Sequence, residues 1–205
     1  AAAQGQALRV VCPDVVGRGD SDWLKEPMGY QFPTYVGDML TLLGTLAQQA
    51  PIGQLDWVGT SMGGLIGLML AGAPDVPLPL PMRRLVLNDV GPVIEWQALQ
   101  RIGQYLGKSG PFESVEAGAA RLRELAPGFG PHTDAQWLAL SRPMLRARPE
   151  GDWRLHYDPA IAVPYAAVTP ESSAQGEALL WQLYDRVKAD TLLLRTDADR
   201  LLRPV

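Results

Sequence analysis

The sequence predicts an α/β protein, in which a mostly parallel sheet has helices on both faces and carries a helical cap insertion. Two observations lead to this class. Short strand-like runs alternate with helical segments, which is typical of βαβ units. One long helical block then interrupts this alternation. We therefore divide the chain into a core at residues 1–92, a cap at 93–190 and a return to the core at 191–205.

The composition is that of an ordinary globular protein. Of the 205 residues, 47% are hydrophobic and 20% are charged, and the formal net charge is -4. There is no basic patch of the kind that binds nucleic acid, and no apolar run long enough to span a bilayer. The single cysteine, Cys12, excludes a disulfide framework within the chain. This cysteine usage is typical of a reducing compartment, so we expect a cytoplasmic protein.

The first core elements are a strand, a loop and a helix. Residues 8–12 form a β-prone run, and the loop after it contains Gly17 and Gly19, which can adopt positive φ. Apolar residues recur at helical spacing over 35–49, and Thr34 is the predicted N-cap of that helix.

Two more core strands flank a buried helix. Residues 55–58 and 84–88 read as strands, and residues 62–73 are apolar on all sides, which is typical of a buried helix. The cap then contains helical segments and no clear strand, and Thr133 with Gln136 forms a capping-box pattern. The helical segments of the cap are 94–106, 115–125, 133–145 and 177–187. The chain returns to a buried strand at 191–195.

The segment Gly59-Thr60-Ser61-Met62-Gly63 lies between a predicted strand and the apolar helix. A serine hydroxyl needs a base to take its proton, and it must stand clear of the main chain to reach a substrate. A sharp strand-to-helix turn provides this exposure, and the two flanking glycines relieve its crowding. The amide of Met62 then points at the developing oxyanion, where a helix N-terminus stabilises negative charge. The alternative is a glycine-rich turn with an incidental serine, but a strand before the segment and an apolar helix after it favour the catalytic interpretation.

The chain resembles the α/β-hydrolase superfamily, in its branch of serine esterases and carbon–carbon-bond hydrolases. The segments that carry the resemblance are PDVVGRGDSD at 13–22, GTSMGG at 59–64, LNDVGP at 87–92 and LLRTDAD at 193–199. The resemblance implies that the catalytic residues follow the order serine, acid, histidine. It assigns Asp199 as the acid that orients the histidine, with Asp197 as the alternative in a shifted register. Asp89 is a second acid at a strand end, where a structural role in the turn is favoured.

Two parts of the family's machinery are not found. The family histidine follows a further helix and strand beyond the acid, whereas His132 and His156 both lie in the predicted cap. For both we expect a structural or pocket role. The loop that supplies the second oxyanion donor has no counterpart near the N-terminus. We therefore expect the chain to be a fragment of a longer hydrolase, without its N-terminal and C-terminal sections.

These observations predict a serine hydrolase that acts on a small carboxylic ester or related acyl compound through an acyl-enzyme on Ser61. Met62 N–H binds the oxyanion, and the catalytic histidine lies outside the chain. We expect a small-molecule substrate, no nucleic-acid or membrane partner, and no metal or organic cofactor, since no corresponding motif is present. The alternative is an inactive hydrolase-fold remnant that binds a ligand or partner. A haloperoxidase or dehalogenase is less well supported, because the dehalogenase branch has aspartate in place of the elbow serine.

Overall fold

The computed structural model describes residues 8–108 and 110–195, and its parallel strands and covering helices confirm the α/β class. The strands are β1 Leu55–Thr60, β2 Met82–Asn88, β3 Leu145–Ala147, β4 Trp153–Leu155 and β5 Asp190–Leu194. The helices are α1 Phe32–Gln49, α2 Met62–Gly72, α3 Trp96–Tyr105, α4 Val115–Leu125, α5 Asp134–Ser141, α6 Ala162–Ala166 and α7 Pro170–Tyr184. Short 3-10 turns occur at Pro27–Gly29, Pro127–Phe129, Arg142–Met144 and Pro159–Ile161.

Strands β1, β2 and β5 form a parallel sheet in which β2 lies in the middle. Thr60 pairs with Asn88, and Asn88 pairs with Leu194, so the strands end level with one another. Ser61 and Asp89 are the next residues along the chain. In open α/β sheets, ligands bind outside the carboxyl ends of the strands, so the register brings these two residues to the expected binding edge.

Helix α2 packs on β1 and β2, and α1 and α7 pack against α2. The α2 side chains of Ile66, Leu68 and Leu70 are at most 1% exposed, as the absence of polar residues in this segment predicted. Gly72 touches the main chain of Leu183 in α7, where a Cβ atom would clash. The core therefore lies between one face of the sheet and these helices.

The opposite face of the sheet is open to solvent in the described part of the chain. Val58 and Leu192 both pair with Val86, and they are 73% and 53% exposed. Leu194, two residues further along β5, is 44% exposed. Because side chains alternate across a strand, these residues point away from the face that α2 covers.

Residues 8–12 do not form the predicted strand. Leu8 and Val10 are 76% and 74% exposed, and no main-chain hydrogen bond joins residues 8–12 to another described residue. A β-prone sequence becomes a strand only where an adjacent strand provides hydrogen-bonding partners for its main chain. The N-cap prediction for α1 is also wrong: the cap is Gln31 instead of Thr34, because Pro33 suits the first helical turn.

The region between β2 and α7 contains an antiparallel hairpin, β3–β4, where no strand was predicted. Strands of three residues are too short to show an alternating pattern. The connecting turn is held by Arg148, whose Nε donates to Asp152 Oδ1 at 2.5 Å, and by Gly151, which has a φ of 89°.

Helix α4 has the predicted bounds, and α5 begins with the predicted capping box. The Gln136 amide donates to Thr133 Oγ1 at 3.3 Å, and the Thr133 amide donates to Gln136 Oε1 at 2.8 Å. Helix α5 ends at Ser141, short of the predicted residue 145. Pro143 lacks the amide that would continue the helix, and the 3-10 turn Arg142–Met144 follows.

Candidate active site

Ser61 lies at the junction of β1 and α2, with φ 50° and ψ -121°. It is exposed, and its side chain makes no capping hydrogen bond to α2. The Ser61 amide donates to Asn88 O at 3.1 Å, and the Ser61 carbonyl accepts from Gly64 N–H at 2.9 Å. The main chain is therefore fixed on both sides of the serine while the hydroxyl remains accessible, which is the geometry predicted for the elbow.

Close main-chain contact explains Gly59. A Cβ atom at this position would clash with the backbone of Gly63 and Gly64, so only glycine permits the sharp return of the chain. The sequence predicted that Gly63 also relieves crowding in this turn, and that prediction is wrong. A Cβ atom on Gly63 would meet nothing within 4 Å, because that position faces open space.

The start of α2 is held tightly against the sheet. A Cβ atom on Gly64 would clash with Val90, and one on Gly67 would clash with the Trp57 ring. Trp57 Nε1 also donates to Gly63 O at 2.9 Å. Met62 is the first residue of α2, so its N–H belongs to the helical turn that has no intrahelical acceptor. This amide, next to Ser61, can receive a negatively charged oxygen.

Asp89 follows β2 as Ser61 follows β1. Its amide donates to Leu194 O at 2.7 Å, and its φ is 53°. The side chain is half-buried, and the turn continues into buried Val90 and Gly91. Nearby, Asn88 Nδ2 donates to Thr60 Oγ1 at 3.0 Å. The two strand ends are therefore joined by both main-chain and side-chain hydrogen bonds.

The loop at residues 13–22 pairs with residues 156–158. Gly19 N–H donates to His156 O at 2.9 Å, and Asp158 N–H donates to Gly17 O at 2.8 Å. Gly17 and Gly19 adopt φ values of 83° and 55°, as their predicted freedom allows. This pairing fixes a segment of the predicted cap to a loop of the core.

Tyr30 and Asp158 form a buried contact beneath this pairing. The Tyr30 hydroxyl donates to Asp158 Oδ2 at 2.5 Å and accepts from Leu24 N–H at 2.8 Å, and Asp158 Oδ1 accepts from Ala160 N–H at 2.9 Å. Burial raises the pKa of Tyr30 to about 12, and the hydrogen bond to Asp158 acts in the same direction. Sequence reasoning missed this pair, because neither residue belongs to a local motif.

Both histidines make contacts with residues other than Ser61. His156 Nε2 lies 3.0 Å from Arg146 Nη1 and 3.5 Å from Asp20 Oδ1. His132 Nδ1 lies 3.1 Å from Gly130 O, and its ring packs against Trp137. Neither histidine is hydrogen-bonded to Ser61.

The predicted acid, Asp199, and its alternative Asp197 lie outside the described residues. The structure therefore brings together Ser61, the Met62 amide and Asp89, and the identity of the acid stays a prediction.

Two shallow cavities of about 330 and 350 Å³ lie beside α3, and Gln104 and Lys108 line both of them. Ser61 lines neither. Among residues 8–108 and 110–195, no group of three or more His, Cys, Asp or Glu side chains could hold a metal ion. No described helix has the length and apolar character required to cross a membrane.

Known proteins match both the sequence and the fold. The 3-hydroxybutyrate-oligomer hydrolase of Cupriavidus necator is 46% identical over 199 residues, which are 95% of this chain and 65% of that protein. An α/β hydrolase from Novosphingobium aromaticivorans superimposes with a TM-score of 0.66 at 28% identity, over 94% of this chain and 75% of that one. An esterase from Mycobacterium tuberculosis gives a TM-score of 0.62 at 26% identity, over 92% and 57%.

The 205 residues thus span about two thirds of the length of the curated relative. The sequence profile of the family described as "alpha/beta hydrolase fold" matches residues 2–106, which include β1, the Ser61 turn, α2 and β2. With this match over half of its length, the chain belongs to the α/β-hydrolase family.

Proposed function

We propose that the protein is a serine hydrolase that cleaves a small carboxylic ester through an acyl-enzyme on Ser61. The observation that carries this proposal is the backbone of Ser61, a left-handed, exposed serine between a parallel strand and a buried helix. Such a conformation is costly for a residue other than glycine, and it is most often retained where the exposed side chain has a chemical task.

The proposed reaction has two steps. Ser61 Oγ attacks the ester carbonyl and loses its proton to a base, and the Met62 N–H binds the oxygen that becomes negative. The base then protonates the departing alcohol, which leaves an acyl group on Ser61. A water molecule deprotonated by the same base attacks that acyl group and releases the carboxylic acid and the free serine.

The base in this scheme is a histidine outside the 205 residues, oriented by Asp199. His132 and His156 are engaged elsewhere. The greater length of the Cupriavidus necator relative supports a contribution from outside this sequence. The whole protein is therefore proposed to supply the base, and this chain to supply the nucleophile and one oxyanion donor.

The proposed substrates are short ester oligomers of 3-hydroxybutyrate. This assignment takes its chemistry from the name of the relative, and identity of 46% over 95% of the chain supports the transfer. Hydrolysis of one internal ester bond in such a compound yields a carboxylic acid on one side and a hydroxyl group on the other, so both products are hydroxy acids.

The alternative is an inactive hydrolase-fold module that binds a ligand or partner. The observation that favours it is that neither histidine of the chain contacts Ser61. This alternative predicts that Ser61 does not react with a fluorophosphonate, whereas the serine-hydrolase proposal predicts labelling in the complete protein.

The test compares three proteins: the 205-residue chain, a longer protein with both flanking sections, and the longer protein with Ser61→Ala. We expect the longer protein to hydrolyse p-nitrophenyl acetate and to be labelled by a fluorophosphonate, and Ser61→Ala to abolish both. The 205-residue chain should be slower by at least about a hundred- to thousandfold, the typical effect of one missing oxyanion donor. Ser173→Ala, on α7, is the matched control and should retain activity.

Ser61-dependent turnover by the 205-residue chain alone at the rate of the longer protein would show that the base lies within the chain. His156→Ala and His132→Ala would then identify it. Equal activity of the longer protein with and without Ser61 would overturn the proposal.

A further inference from the structure

Asn88, the last residue of β2, is hydrogen-bonded to two successive residues of the Ser61 turn. Its main-chain oxygen accepts from the Ser61 amide at 3.1 Å, and its side-chain Nδ2 donates to Thr60 Oγ1 at 3.0 Å. The register explains both contacts, because Thr60 and Asn88 are paired across β1 and β2. One residue of the middle strand therefore holds the chain at two points, immediately before the nucleophile and at its amide.

The turn needs this support because Ser61 has a conformation that is costly for a residue other than glycine. With φ 50° and ψ -121°, it persists only where the surrounding structure restrains it. On the C-terminal side, the Ser61 carbonyl accepts from the amides of Gly64 and Leu65 at 2.9 and 3.2 Å. On the N-terminal side, β1 has one neighbour among the described strands, which is β2. In the described sheet, lateral restraint of this side of the turn therefore comes from β2.

The side-chain bond of Asn88 provides a restraint that the main-chain bond alone does not. One hydrogen bond fixes a single point of the turn and permits rotation about it, whereas two bonds to successive residues also fix the peptide group between them. The main-chain oxygen would be present with any amino acid at this position, but the amide donor belongs to the asparagine side chain. Asparagine is depleted in strands, and here it follows the apolar run 85–87 of β2. The bond to Thr60 explains its presence better than strand formation does.

We propose that Asn88 is a positioning residue, which through its hydrogen bond to Thr60 holds Ser61 in the orientation required for attack on the ester. This inference rests on the proposed function. Asn88 acts through the main chain of residues 60 and 61 and needs no contact with the substrate. Small errors in the placement of a nucleophile lower the rate strongly. Loss of the bond should therefore slow the acylation of Ser61 while the binding of the ester changes little.

The experiment is a double-mutant cycle between Thr60 and Asn88 in the complete protein that contains these residues. Thr60→Val removes the acceptor, keeps the shape of threonine and suits a strand, and Asn88→Ala removes the donor but keeps the main-chain oxygen. Each should lower kcat for p-nitrophenyl acetate and the rate of fluorophosphonate labelling by about two- to tenfold, as expected for one hydrogen bond. KM should be nearly unchanged. The double variant should be no slower than either single variant, because both changes remove the same bond.

Two further variants separate positioning from general support of the sheet. Thr60→Ser keeps the hydroxyl acceptor and should retain the kcat of the natural protein. Thr191→Val makes the same replacement as Thr60→Val in β5, where the threonine hydroxyl donates to Ala189 O at 3.0 Å. Thr191 lies near the amino end of its strand, paired with Leu85, so this variant should leave kcat unchanged. The free energy of unfolding is measured for every variant, so that a loss of folded protein is distinguished from a loss of rate.

Three results would overturn this inference. Unchanged kcat and labelling in Thr60→Val would show that Ser61 does not depend on the bond. Losses that multiply in the double variant would show that the two side chains act separately. Coupling that is present in the free energy of unfolding but absent from kcat would assign the bond to the fold alone. Ser61→Ala separates the two proposals. If it leaves hydrolysis intact, the proposed function fails. If it abolishes hydrolysis while kcat shows no coupling between Thr60 and Asn88, the positioning role alone is wrong.

Discussion

Tyr30 and Asp158 illustrate how single residues connect the core to the segment that follows the β3–β4 hairpin. Both are nearly inaccessible, at 5% and 6% exposure. Every polar atom at their contact has a partner, since the Tyr30 hydroxyl both donates to Asp158 and accepts from Leu24. A buried carboxylate that loses such a partner is costly, typically by about 1–3 kcal/mol or more.

Tyr30→Phe should therefore destabilise the protein and change its response to alkali. The pKa of Tyr30 is raised to about 12 from 10.0, so the folded state favours the neutral phenol. This contribution to stability is complete below about pH 10 and is lost as the pH rises towards 12. We expect denaturant unfolding to show a fall in the free energy of unfolding over this range in the natural protein. In Tyr30→Phe the value should be lower at neutral pH, and its alkaline fall should be smaller.

Tyr184→Phe provides the control, because Tyr184 makes an edge-to-face contact with Trp181 that phenylalanine can keep. It should leave the alkaline fall unchanged. Burial also raises the pKa of Tyr165 to about 12, so part of the fall should remain in every variant. The same alkaline profile in Tyr30→Phe and the natural protein would contradict the prediction.

At the scale of residues, the sequence predicts a contact well when the residues involved are close to one another in the chain. The Ser61 turn is encoded within a few neighbouring residues, and its geometry was predictable. Tyr30 and Asp158 are 128 positions apart, and no local pattern pairs them. The positive φ of Asp89 was not predictable from its neighbours either. Its amide is hydrogen-bonded to Leu194 in β5, which is distant in the chain.

Helix α5 provides a test at the scale of elements, because its first turn depends on one capping box. Thr133→Ala removes the acceptor for the Gln136 amide and should lower the free energy of unfolding by about 1 kcal/mol. Thr45→Ala is the matched control. Thr45 lies within α1, and its hydroxyl donates to Thr41 O at 2.9 Å. Alanine has the higher helix propensity there, so this variant should be neutral or slightly stabilising. Equal losses in both variants would exclude a capping effect.

Elements were predictable where their own composition or residue spacing is distinctive. The apolar segment of α2 and the bounds of α4 follow from the sequence alone. The hairpin β3–β4 was missed because each strand has three residues. The run at residues 8–12 was mistaken for a strand because its composition is β-prone, whereas its state depends on whether another strand lies beside it.

The whole molecule has one sheet face under α2 and another that exposes apolar side chains. Parallel sheets are normally covered on both faces. Here Val58 at 73%, Leu192 at 53% and Leu194 at 44% exposure lie together on the face opposite α2. A contiguous apolar surface of this kind marks either an interaction site or a cause of aggregation.

The 205-residue chain should therefore self-associate and bind the dye ANS through this open face. Val58→Lys places a charge on this face, where lysine can remain solvated, and should lower both ANS fluorescence and the apparent mass in sedimentation. Leu179→Lys is the matched control. It adds the same charge at a residue that is 50% exposed on α7, away from the face, and should change neither measurement. A monomeric natural chain that does not bind ANS would contradict the prediction. Equal effects of Val58→Lys and Leu179→Lys would show that the change comes from net charge, because only Val58 lies on the open apolar face.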